Sequence, residues 1–127
     1  MPFRALLREL VTSAPNARGA IFCDYEGENV DLAVADPQPR GCAALSDFDL
    51  KVCGASVAAS WILLQQHSRA YGAGATLELK IASARGTLLC RSLPDGYYLT
   101  LLLAPGPHSE VAASVLRRMA ARVEREI

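Results

Sequence analysis

The side chains able to act as nucleophile, general base or metal ligand are few in this chain, and none is spaced for that work. Histidine occurs only as His67 and His108, and neither has a second histidine or a cysteine at the separation a tetrahedral metal site uses. Both read as solvated or locally bonded, and no metal is expected. The four cysteines, Cys23, Cys42, Cys53 and Cys90, form no CxxC pair; three of them fall in apolar helix or strand patterns, where a thiol acts as a small buried hydrophobe. Asp24, Glu26, Glu28 and Asp31 crowd one short stretch without the spacing of a calcium loop, so they read as a solvated turn. Gly72 and Gly74 follow a helical pattern and precede a strand, the reverse of the order a phosphate-cradling loop needs. They mark a helix stop. No catalytic residue and no cofactor site is assigned, and the chain is read as a non-enzyme.

Length and charge narrow the classes further. At 127 residues the chain is expected to be one domain, spanning 1–127, with a core large enough to stand without staples. Lys plus Arg and Asp plus Glu both number 13. With no net field, nucleic acid and anionic lipid are poor partners. The start of the chain, MPFRALLRELV, lacks the uninterrupted apolar run of a signal peptide. A reducing, cytoplasmic setting is the expectation.

The elements that position these residues are organised around one stretch. From Val52 to Gln66 there is no charge, yet the run is shorter than the roughly 20 apolar residues of a membrane span. It therefore reads as a helix buried in protein. At helical period Leu50, Cys53, Val57, Trp61 and Leu64 form one apolar stripe, and Val52, Ala55, Ala59, Ile62 and Leu63 form another. Two stripes need two surfaces, the chain's own sheet and a second copy of the chain. Either stripe could meet the sheet; the assignment adopted gives Val52, Ala55, Ala59, Ile62 and Leu63 to the sheet and Val57, Trp61 and Leu64 to the partner.

Around that helix the order of elements is legible. Residues 2–12 place Phe3, Leu6, Leu7, Leu10 and Val11 on one face of a short helix. Residues 18–25 and 29–35 make a hairpin turning at Gly27. Residues 36–41, with two prolines and no apolar residue, form a surface loop where mobility is expected to peak. Ser46 can cap the central helix with Asp49 at its third position, Leu45 and Leu50 have hydrophobic-staple spacing, and residues 71–74 stop it. Residues 76–82 alternate strictly and read as an edge strand, whereas residues 97–103, apolar on both faces, read as central. Turns at Arg85-Gly86 and Asp95-Gly96 make these last three strands antiparallel. A final helix sets Val111, Val115, Met119 and Val123 on one face, with Arg117, Arg118, Arg122 and Arg125 elsewhere. The fold class is α+β, a five-stranded antiparallel sheet sandwiched by helices in the order α-β-β-α-β-β-β-α.

The opening LLRELV, the G-A-x-x-x-D-x-x-G pattern from Gly19 to Gly27, the long small-residue helix, and Asp95-Gly96-Tyr97-Tyr98-Leu99 before a final amphipathic helix together resemble the roadblock / dynein light chain family. The resemblance covers nearly the whole chain. It implies a profilin- and longin-like fold, a homodimer in which central helices pair and edge strands join two sheets, and partnership with a small Ras-like GTPase, as in bacterial polarity and gliding-motility regulators. No catalytic side chain is carried over. On this reading the dimer interface comprises Val57, Trp61, Leu64, Glu78 and Lys80, and a GTPase would meet Lys51, Ala58, Gln65, Arg69, Arg118 and Arg122. A different class, a small-ligand sensor holding a metabolite between sheet and helix, would require a cavity with convergent polar groups.

Overall fold

In the computed structural model, which describes residues 2–127, each element follows from a local signal in the chain. Helix α1 (Pro2–Ser13) buries Leu7 and Leu10 on one face and ends where Asn16 adopts a positive φ of 60°. Strands β1 (Ala17–Cys23) and β2 (Asn29–Val34) form the first hairpin. Its turn is built by Asp24, whose Oδ1 accepts the N–H groups of Glu26 at 2.9 Å and Glu28 at 3.0 Å. Gly27 completes it with φ of 82°, in a place where a Cβ would lie 3.1 Å from Ala55 Cα of the long helix. A glycine is required there twice over, by backbone conformation and by space.

Helix α2 (Asp47–Ala70) starts with the expected capping box: Ser46 Oγ accepts Asp49 N–H at 3.0 Å, and Asp49 Oδ2 accepts Ser46 N–H. These bonds satisfy two donors the first turn would leave unpaired. It stops in a Schellman motif, with Ala73 N–H donating to Ser68 C=O, Gly72 N–H to Arg69 C=O, and Gly72 at φ of 74°. Strands β3 (Glu78–Ser83), β4 (Gly86–Ser92) and β5 (Tyr98–Leu103) follow, and helix α3 (Ser109–Glu124) closes the chain. Asp95 and Gly96, both at positive φ, turn the chain from β4 into β5.

The strands make one antiparallel sheet in the order β2-β1-β5-β4-β3. As expected, β5 is central and β3 lies at an edge. One face of the sheet is covered by α1 and α3, and Phe22, Leu99, Leu101, Leu103, Leu116 and Met119 belong to that large core. The other face is covered by α2 alone, which buries Leu50 with Ile21 and Leu32, and Val57 and Trp61 with Cys90 and Tyr98. Three layers result, helix pair, sheet and single helix.

One expectation is corrected. The stripes of α2 are reversed: Val57 and Trp61 face the sheet, with Trp61 fully buried at 5.3 Å between ring centroids from Tyr98, while Val52, Ala55, Ala59, Ile62 and Leu63 face outward. The sheet beneath offers a large aromatic and β4 side chains to pack on, so the bulky stripe fills it. The loop of residues 36–41 is tied to the sheet at Gln38, which donates to the carbonyls of Arg18 and Ala35, while Arg18 donates back to Gln38 Oε1 and to Ala43 C=O.

Candidate interaction surface

With Leu50, Gly54, Val57, Ala58 and Trp61 spent on the sheet, the far side of α2 is left bare. Phe48, Val52, Ala55, Ala59, Ile62 and Gln66 recur there at steps of four, three, four, three and four residues, and every one is exposed. This is the spacing of a two-helix seam. No charge interrupts it, and the alanines at its middle permit close approach of a second helix. Phe48 is 72% exposed and Ile62 52%, a cost in water that surfaces of monomeric proteins seldom carry as a contiguous patch.

The apolar surface continues onto the sheet. On the α2 side of β3, Leu79 packs with the Trp61 cluster, but Leu77 and Ile81, in the same alternating row, are exposed. The backbone of β3 is open too. Ser92 N–H bonds Leu77 C=O, which fixes the pairs bonded to β4 at Leu79, Ile81 and Ser83 and turns the N–H and C=O groups of Glu78, Lys80 and Ala82 to the free edge.

The anticipated site residues are distributed differently. Val57 and Trp61, expected at a dimer interface, lie inside the chain; Ala58, expected on an exposed side, is buried beneath the Gly27 turn. Leu64 stands on the flank of α2 and is partly exposed. Gln65 is tied to the following segment, its Oε1 accepting Thr76 N–H and its Nε2 donating to Thr76 C=O. The side chains of Glu78 and Lys80 turn to the α3 side of the sheet. Glu78 accepts from Arg91 and Arg117, and these guanidiniums, Arg117 foremost, hold its carboxyl below the usual range. Lys80 reaches Ser109 and Glu110. Lys51 and Arg69 are exposed on α2, whereas Arg118 is exposed and Arg122 pairs with Glu9 on the helix pair of the opposite layer. The sheet separates these two sets, so they make no single surface. Sequence reasoning missed Phe48, Gln66 and the uninterrupted four-three spacing, which was present in the residue order.

Burial accounts for the thiols: it pushes Cys23 and Cys90 up to about 12 and raises Cys53. Among the described residues no three His, Cys, Asp or Glu side chains converge on a metal-sized site, and no helix is long and apolar enough to cross a membrane. Hollows lie at the rim of the sandwich, one of about 680 Å³ along β2 and one of about 290 Å³ between β3 and α3.

This layering is that of known structures. Myxococcus xanthus MglB superposes with a TM-score of 0.83 at 11% identity, over 98% of this chain and 94% of that one. A Roadblock/LC7 domain from Streptomyces avermitilis superposes with a TM-score of 0.80 at 14% identity, over 96% and 94%. The chain has the Roadblock/LC7 fold. A third roadblock-type structure, an MglB with tetrameric arrangement, gives 0.67 at 21% identity over 94% and 88%. No family model matches the sequence, and no curated protein matches it. In this chain the bare α2 seam and the open β3 edge lie side by side.

Proposed function

We propose that this chain is a non-catalytic regulator or scaffold that works as a homodimer and docks a small Ras-like GTPase. The observation that carries the dimer is the uncharged seam on α2, since the other side of the same helix is already filled. A second copy would bury Val52, Ile62 and Phe48, each contributing on the order of 1.5–3 kcal/mol when fully covered, less the cost of association. The outward backbone of Glu78, Lys80 and Ala82 would let two sheets join at β3, so these positions contribute through the main chain while the side chains of Glu78 and Lys80 stay with α3. The tetrameric arrangement of one MglB structure is in keeping with self-association.

The GTPase is supported by the fold and by the resemblance of the Gly19–Gly27 and Asp95–Leu99 patterns. Its docking surface is placed on the paired α2 helices and their ends, where Lys51 and Arg69 are exposed; Arg118 is a separate contact on the opposite layer. Sedimentation of the wild type against Ala55→Glu and Ala59→Glu tests the dimer: the wild type should run as a dimer and both variants as folded monomers. A wild type that stays monomeric at micromolar concentration overturns it. Capture from native cytoplasm, followed by nucleotide-binding assays on the captured protein, tests the GTPase; a captured set without a GTP-binding protein removes that half.

A further inference from the structure

The edge strand opposite β3 carries its own unused bonding groups. Ala35 N–H bonds Arg18 C=O at 3.0 Å, and with Ala20 opposite Ala33 and Phe22 opposite Asp31 the bonded pairs of the β1–β2 ladder fall on residues 31, 33 and 35. The N–H and C=O groups of Leu32 and Val34 therefore point outward. Asp31 Oδ1 already accepts Leu32 N–H at 2.9 Å, while also holding Arg4 at 2.7 Å. Val34 N–H and the carbonyls of Leu32 and Val34 have no partner among the described residues.

These groups look into the hollow of about 680 Å³ whose walls are α1 on one side and Ala44 and Leu45 on the other. Repeating donors and acceptors at strand spacing are matched by an extended backbone and by little else. The walls then select side chains. Successive residues of an added strand point to opposite faces, so one set would meet Ala44 and Leu45, and the alternate set would meet α1. There Arg8 is exposed and its guanidinium makes no hydrogen bond or ion pair among the described residues, in contrast to that of Arg4, which Asp31 neutralises. Asp36 lies just past the end of β2 and Asp47 acts on Arg4 near the Asp31 end, so the unpaired Arg8 between them is the place for an anion.

We infer that the β2 edge is a docking groove for an extended peptide, added as a sixth strand, with an acidic side chain opposite Arg8 flanked by small apolar residues toward Leu45. The groove lies across the sheet from β3, so it stays open whether or not α2 and β3 take up a second copy.

The test uses the full-length, isotope-labelled protein and two blocked pentapeptides, Thr-Val-Glu-Val-Thr and Thr-Val-Lys-Val-Thr. Amide shifts and hydrogen exchange are followed as each peptide is added. The glutamate peptide should shift β2 and residues around Arg8 and slow exchange at Val34 N–H, while the lysine peptide binds about fivefold more weakly. Arg8→Glu should reverse that preference. Val34→Pro, which removes only the outward N–H of an edge strand, should abolish binding; should that variant not fold, N-methylation of alternate peptide amides makes the same subtraction from the other side. Shifts absent from β2 at millimolar peptide, a peptide that binds equally well after N-methylation, or equal affinity for both peptides with no response to Arg8→Glu overturns the assignment.

Discussion

A Cβ built on Gly54 of α2 falls 2.6 Å from the Cys23 sulfur of β1 and 3.1 Å from Ile21 Cδ1. Helix and sheet meet there with no room for a methyl group. Gly54→Ala should gain roughly 1 kcal/mol of helix propensity and lose more through overpacking, typically about 1–3 kcal/mol. Cys23→Ala removes the obstructing sulfur, so Gly54→Ala should cost less in that background. Urea denaturation of the four-member cycle reads the coupling, and additive costs would show that the contact is relieved elsewhere.

Trp61 and Ile62 are neighbours in sequence with opposite fates. Trp61→Ala opens a cavity against Tyr98 and Cys90 and should lower stability by about 3–5 kcal/mol. Ile62→Ser, on the outer seam, should leave the fold intact and raise the dissociation constant of the proposed dimer roughly tenfold. Denaturation and sedimentation of both variants separate the two effects; weakened self-association without loss of stability in Trp61→Ala would contradict the burial of Trp61 against the sheet.

Glu78 links β3 to α3 through Arg117 and to β4 through Arg91. Its folded pKa is lowered from the ordinary 4.5 by these partners, so its contribution is present above that value and lost as pH falls through the folded pKa. The groups are substantially exposed, which keeps the effect below about 1 kcal/mol. Melting temperatures of wild type and Glu78→Gln should differ at pH 7 and converge in acid, and the gap should shrink with salt.

The thiols should react in an order set by burial. Cys42, half-buried in the loop before α2, should be alkylated first at pH 8, whereas Cys23 and Cys90, pushed up to about 12, stay protonated and covered. Mass spectrometry after timed iodoacetamide treatment checks this. Because these two pKa values are raised on folding, stability should fall as pH rises from about 9 toward 12.

Much of this molecule is written in local signals. The capping box at Ser46 and Asp49, the left-handed glycines at 27 and 72, the Asp95-Gly96 turn and the alternation in residues 76–82 each depend on neighbours a few residues away, and from them the element order and antiparallel sheet follow. Asp24 and Gly27, noticed as a pattern, turn out to be one carboxylate folding the hairpin and one glycine fitting under Ala55.

What the residue order could not decide was which side of α2 meets the sheet. Both stripes are apolar, and helical period specifies an angle between them without a direction in space. Only the tertiary structure sets that direction, because the volume above Tyr98 and Cys90 accepts Trp61 while the approach of Cys23 and Gly27 demands Gly54 and Ala58 beside it. Long-range fit thus turns Phe48, Val52, Ala55, Ala59 and Ile62 outward, and the same distant pairings leave the edges of β2 and β3 open.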